Sequence, residues 1–100
     1  MVNKWFPAHR HDTGSNLDGC GKPIDAIKRC QELEYESCAL TNHGNISNCI
    51  KFHKECKDNG IKPILGIEHY LCEKDSTIKD KTNPNTAHLC VLAKNEQGWK

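Results

Sequence analysis

Apolar residues in this chain come in short blocks whose spacing changes from block to block, and that change limits the fold more than anything else. Ile24, Ile27, Cys30 and Leu33 recur at helical intervals after Pro23, a residue suited to a first helical turn. SCALT (37–41) is instead a short compact run with strand character, ending at Asn42-His43-Gly44. A second helix is expected from about Asn45, with Ile46, Cys49, Ile50, His53 and Cys56 on one face and Asn59-Gly60 as its stop. IKPILGIEHYL (61–71) and LCVLA (89–93) predict two further strands, and residues 5–8 predict an earlier, buried one. Residues 12–22 and EKDSTIKDKTNPNT read as polar loops, and Asn95 before Glu96 reads as the cap of a last helix. The order strand–helix–strand–helix–strand–loop–strand predicts an α/β layer or barrel with parallel strands.

At 100 residues, the chain is one small domain or part of a larger one, and its hydrophobic share of 36% allows only a modest core. Fourteen basic and 13 acidic residues give a net charge of +1 and are scattered, so no basic stripe marks a nucleic-acid surface by itself. The N-terminus has no apolar run of signal-peptide length, and no stretch approaches the roughly 18–20 apolar residues of a membrane span. A cytoplasmic, membrane-free protein is expected. The seven cysteines, at 20, 30, 38, 49, 56, 72 and 90, are odd in number and form no C-x-x-C. They read as reduced and mostly core, as in SCALT and HLCVLA, and not as a disulfide framework or a zinc finger.

Chemistry gathers at the strand ends. His9 and His11 close the first expected strand, His43 the second, and Glu68 lies towards the end of the third. In α/β architectures such positions converge on one mouth. H-x-H in an extended segment puts both imidazoles on one face. Imidazoles with a carboxylate form a mixed N/O donor set suited to zinc, manganese or iron. Around this set, Arg10 should point away along the strand, with a phosphate contact as its functional reading. Asp12 reads as a solvated or helix-capping acid, His53 as a half-buried packing residue, and His69 as a surface residue opposite Glu68. Lys62 and Lys94 read as surface charges, while Gly44 and Gly66 answer to a tight turn and close strand packing.

Four stretches together, HRH…NLDG, TNHGN, GIKPILGIEHY and HLCVLAKNEQGW, resemble the polymerase-and-histidinol-phosphatase (PHP) domain. They are most similar to the version at the N-terminus of bacterial replicative DNA polymerase III alpha subunits. There H-x-H is followed by S-L-L-D-G, A-I-T-D-H-G-N, G-I-K-P-I-x-G-x-E and H-L-x-L-L-A-x-N. The resemblance runs from about Trp5 to the last residue, in order and at similar spacing.

The resemblance implies the first half of a distorted TIM-like (β/α) barrel, residues 1–100 being a partial PHP domain without polymerase palm, fingers or thumb. It implies His9, His11, Asp18, His43, Glu68 and His88 as ligands of a multi-metal cluster of zinc, manganese or iron. Asn42 stands where the family usually has Asp, and an amide there can still orient a neighbouring imidazole. Asp12-Thr13-Gly14 departs from the usual S/T-x-aromatic. The implied function is metal binding and phosphoester hydrolysis, such as 3′-end proofreading, within a polymerase that acts on DNA. The alternatives are part of a free-standing phosphoesterase of the histidinol-phosphatase type, or a non-catalytic interaction fragment. A half barrel would need a partner, either the rest of the barrel or a replisome subunit, to cover its open edge.

Overall fold

The computed structural model describes residues 4–78 and 86–100. Six elements follow one another: α1 (Pro23–Glu32), β1 (Ser37–His43), α2 (Cys49–Asp58), β2 (Lys62–Cys72), β3 (Thr86–Leu92) and the short α3 (Glu96–Trp99). The three strands form one sheet in the order β1-β2-β3. β1 and β2 run parallel across the α2 crossover, as expected for an α/β unit.

β3 departs from the expected parallel arrangement and pairs antiparallel with β2. Parallel neighbours need a crossover, usually helical, whereas antiparallel neighbours need only a loop. The polar, proline-bearing stretch after Cys72 has no helical apolar pattern to build such a crossover. Part of that expected loop, residues 79–85, lies outside the described residues.

Residues 5–8 form no strand, and Trp5 is 60% exposed, its ring edge-on to Tyr35. Pro7 has no N–H to give a ladder. The backbone meets β1 just after this run, at Arg10, where Thr41 N donates to Arg10 O at 2.8 Å and Arg10 N donates to Thr41 Oγ1 at 2.9 Å. That double contact is enough to lay His9 and His11 beside β1.

α1 starts at Pro23, with the Asp25 carboxylate accepting from Lys22 N at 2.9 Å. Its buried residues are Pro23, Ile27 and Cys30, while Ile24 is half-buried and Leu33 lies at the exposed end. α2 buries Cys49, Phe52 and Cys56 and leaves Ile46, Ile50 and His53 outside. The helix is thus rotated from the expected face, because burying Phe52 removes the most apolar surface, a gain of roughly 1.5–3 kcal/mol. His53 is exposed and lines a hollow of about 490 Å³ with Ile50, Leu65, Ala93 and Trp99. α2 stops at Asn59-Gly60, where Gly60 takes a positive φ of 71°.

The core lies between the helices and one face of the sheet: Ile27, Cys30, Cys38, Leu40, Cys49, Phe52, Cys56 and Ile61. All seven cysteines are free thiols, four of them buried. Burial pushes the Cys38 and Cys56 thiols up to about 12. Cys90, expected in the core, is exposed on β3; Cys20, before α1, and Cys72, at the end of β2, are exposed too. The opposite face of the sheet carries Thr41 and His43, then Gly66, Glu68 and Tyr70, then His88 and Cys90, as the register requires. Gly66 has no room for a side chain, since a Cβ there would run into the Val91 carbonyl and come within 2.8 Å of Leu92. Tyr70, Leu71, Leu89 and Val91 stay about half exposed along the β3 side. No helix among the described residues is long and apolar enough to cross a membrane.

Candidate metal centre

His9 and His11 flank the point where the N-terminal run meets β1, and both imidazoles lie on the same side, 5.0 Å apart at their centroids. Their Nε2 atoms approach to 3.0 Å. From the middle of the sheet, Glu68 reaches the same point: its Oε2 lies 2.9 Å from His9 Nε2 and 2.7 Å from His11 Nε2. Its other oxygen, Oε1, faces His88 Nδ1 at 3.3 Å. The β1–β2 register sets His43 directly beside Glu68, and the β2–β3 register sets His88 beside Tyr70, one pleat away. The His43 and His88 rings meet edge to face at 4.5 Å.

Two donor sets result, His9–His11–Glu68 and His43–Glu68–His88, and within each the ligand atoms lie within 4.8 Å of one another. Glu68 belongs to both. Its side chain is almost buried, and the hydrogen bond from His9 holds its carboxyl below the ordinary range against the opposing pull of desolvation, with the charge of the surrounding histidines adding to the effect. His43 Nε2 is buried and has no hydrogen-bond partner among the described residues. Convergent imidazole nitrogens, a carboxylate and an orphaned buried nitrogen together match the donor chemistry of a divalent transition-metal site.

Asp18 joins neither set among the described residues. Its Oδ2 instead accepts from His43 Nδ1 at 2.8 Å, so it holds that ring from behind. Hydrogen bonds from Ser15 and then His43 lower its carboxyl below the ordinary value. The Asn42 amide meets no imidazole among the described residues. Its Nδ2 donates to Asp12 Oδ1 at 2.8 Å and to Ser47 O at 2.9 Å, while its Oδ1 accepts from Asp12 N at 2.9 Å. Asp12, expected to be solvated, is fully buried in this clasp and also takes hydrogen bonds from Gly14 N and Asn48 Nδ2. All three donors meet Oδ1, while the buried Oδ2 has no hydrogen-bond partner among the described residues. The clasp ties the loop after His11 to the residue before His43.

Arg10 turns away from the cluster, as expected, although the residues around it form no strand. Its Nε donates to Ala39 O at 2.9 Å, and its guanidinium sits 5.4 Å from the centre of the Phe52 ring. The charge is committed to the helix side of the sheet. His69 is exposed, as expected of a residue facing opposite to Glu68.

Two neighbours, Tyr70 and Ser15, went unforeseen, while Gly44 takes the tight turn expected of it. Tyr70, two residues beyond Glu68 and therefore on its face, lies 5.1 Å from both His43 and His88; strand periodicity alone would have found it. Ser15, almost wholly buried, touches His11, Asp18 and His43. Its position four residues after His11 was the only local signal. Gly44, at φ 67°, leaves room for Tyr70, whose Cε2 would lie 2.6 Å from an added Cβ.

Residues 7–100 match the PHP domain family. The DNA polymerase III subunit alpha of Borreliella burgdorferi is 41% identical over 100 residues, covering 98% of this chain and 9% of that protein. The Helicobacter pylori counterpart is 39% identical over 99 residues, covering 98% of this chain and 8% of its own length. The chain thus spans less than a tenth of these relatives. Among solved structures, a metal-dependent phosphoesterase from Bifidobacterium adolescentis superposes with a TM-score of 0.70 at 17% identity, over 95% of this chain and 30% of the other. An amidohydrolase from Chromobacterium violaceum gives 0.67 at 22% identity, over 88% and 27%. Those two likenesses establish the α/β barrel-type fold, of which this chain holds a part.

Proposed function

The chain belongs to the PHP domain family, and on that premise we propose that it is the N-terminal PHP segment of a DNA polymerase III alpha-type replicative protein. Residues 1–100 form the first part of the barrel, and palm, fingers and thumb lie outside it. The observation that carries a metal role is the division of Glu68 between the two histidine sets, one oxygen to each. His9, His11 and Glu68 would hold one ion, and His43, Glu68 and His88 would hold a second. Asp18 supports His43 by keeping its Nδ1 proton, which leaves Nε2 as the donor.

Imidazole and carboxylate donors fit zinc, manganese or iron. Such an ion, when bound, activates a water and polarises a phosphoryl oxygen. The protein's own part is to hold the donors in register across three strands and to keep Glu68 ionised between them. DNA is the proposed polymer substrate, through 3′-end hydrolysis, in the cytoplasm. The half-exposed apolar residues along β3 are covered by the remaining half of the barrel or by a replisome subunit.

The test compares wild type with a His9→Ala/His11→Ala double variant by elemental analysis, then assays a 3′-mismatched oligonucleotide and a simple phosphomonoester. Bound metal in wild type only, with trimming of the oligonucleotide, is the expected result. Turnover of the monoester alone would move the protein to the free-standing phosphoesterases. Metal without turnover of either would leave an interaction role, and equal metal in both proteins would refute the site.

A further inference from the structure

His11 is pinned to β1 from both sides. Before it, Arg10 and Thr41 exchange two hydrogen bonds, from Thr41 N at 2.8 Å and from Arg10 N at 2.9 Å. After it, Asp12 and Asn42 do the same: Asp12 N donates to Asn42 Oδ1 at 2.9 Å, and Asn42 Nδ2 donates to Asp12 Oδ1 at 2.8 Å. The other Nδ2 proton of Asn42 goes to Ser47 O at 2.9 Å, so both donors of the amide are used and its orientation is fixed. Both residues are fully buried, and Asn42 alternates with Thr41 and His43, which puts the clasp on the helix side of β1. A Cβ at Gly14 would come within 2.6 Å of Asn42 Nδ2, so the clasp is tightly enclosed. Among the described residues, neither side chain bonds to a member of the donor sets. Yet Asp12 directly follows His11 and Asn42 directly precedes His43, and those two rings lie 6.0 Å apart. We propose that Asp12 is a positioning residue: through Asn42 it fixes His11 against His43, and so sets the spacing between the two donor sets.

Two ties therefore join the sets. Glu68 joins them on the site face, and the clasp joins them through the backbone on the other. The clasp works through a single oxygen, Asp12 Oδ1, since Oδ2 has no partner among the described residues. An asparagine at 12 would keep that acceptor, and an alanine would not. Oδ1 also accepts from Gly14 N at 2.8 Å and from Asn48 Nδ2 at 3.1 Å. Asn48 caps α2 and adjoins no member of either set, so its bond to the same oxygen has no part in the spacing. The two departures from the family pattern, Asn42 and Asp12-Thr13-Gly14, thus meet in one contact. The consequence for metal binding rests on the reading proposed above; the spacing of His11 and His43 does not.

The experiment separates the two. In the metal-free full chain, a nuclear Overhauser cross-peak between the His11 and His43 ring protons reports the spacing. Slow exchange of the Asn42 side-chain protons reports the clasp. Both signals are expected in wild type and in Asp12→Asn, and both should be lost in Asp12→Ala. Asn48→Gly removes a hydrogen bond from the same oxygen and suits the positive φ of 65° there, so it should keep both. Zinc titration of the four proteins should show about 10–100-fold weaker binding for Asp12→Ala alone. If Asp12→Ala does not fold, Asn42→Ala cuts the same tether from its other end and is read by the cross-peak and the zinc affinity. A wild type without the cross-peak would overturn the proposal. So would a cross-peak and zinc affinity unchanged in the folded tether variant, or equal losses in Asn48→Gly, because a residue serving stability alone lowers the melting point and leaves both readings where they were. Loss of the cross-peak in Asp12→Ala, with no zinc bound even by wild type, would refute the metal reading and leave the spacing role of Asp12 standing.

Discussion

The two faces of the β1–β2 pair carry opposite chemistry, although their residues alternate one by one along the chain. Cys38 and Leu40 point into a dry layer shared with Phe52 and Cys56, while Thr41 and His43 point to the polar cluster around Glu68. The helix face is packed by apolar contact and protonated thiols. The other is organised by hydrogen bonds that converge on Glu68 and Asp18, with His43 Nε2 left unpartnered among the described residues. The difference separates what holds the chain together from what it can do. A period of two lets the two requirements be met by neighbouring residues without compromise.

Substitutions test that separation most severely at Phe52. Phe52→Ala should cost about 3–5 kcal/mol, a large part of the stability of a small domain, and chemical denaturation would register it as a collapse of the unfolding midpoint. Next comes Glu68→Gln, which should keep the fold but lower metal affinity at both sets by more than the roughly 10–100-fold of an outer-layer change, as read by titration with zinc or manganese. A Glu68→Gln protein that unfolds while Phe52→Ala stays native would reverse the division between faces.

Gly44→Ala should follow, at about 1–3 kcal/mol, because it combines a left-handed φ of 67° with a collision against Tyr70; a midpoint equal to wild type would show that the turn is less constrained than drawn. Acid titration should have a smaller effect, with a sign set by the site face. The folded-state pKa values of Asp18 and Glu68 lie below their ordinary values of 3.8 and 4.5. On acidification the unfolded chain therefore takes up their protons first, so the stability they add is present above those values and is lost as pH falls through them. An Asp18→Asn/Glu68→Gln protein should show a shallower loss below pH ~4.5 when unfolding is followed across that range. The mildest effect belongs to the exposed thiols. A thiol reagent should label Cys20, Cys72 and Cys90 quickly in the native protein without moving its melting point, while Cys30, Cys38, Cys49 and Cys56 react only on unfolding. Rapid native labelling of the latter four would contradict a closed helix face.

Much of this arrangement was legible before any coordinates. H-x-H spacing put both imidazoles on one side, and the placement of His43 at the end of one strand and Glu68 within the next brought distant residues together. The cap at Pro23 and the stop at Asn59-Gly60 were equally plain. The rest depended on competition that local pattern does not rank. In α2, the expected face shared Cys49 and Cys56 with the buried one, and the choice between turning Ile50 and His53 or Phe52 inward was decided by the larger ring. The direction of β3 turned on the character of its connection and not on the strand's own residues. Asp12 and Ser15 read as loop residues because their partners, Asn42 and His43, come 28 or more positions later. A residue saturated by long-range hydrogen bonds looks in sequence like a polar residue seeking water.

Sharing Glu68 between two histidine sets has a consequence for how they fill. One carboxylate carries one negative charge, and whatever cation occupies the first set draws on it. The second set then meets a neighbour whose charge is already partly compensated and a cation nearby. Occupancies of the two sets are therefore linked, and linkage is reciprocal: if filling the first weakens the second, filling the second weakens the first by the same factor. If both sets bind an ion, the protein would take up its ions in two graded steps, each held less tightly beside the other than it would be alone.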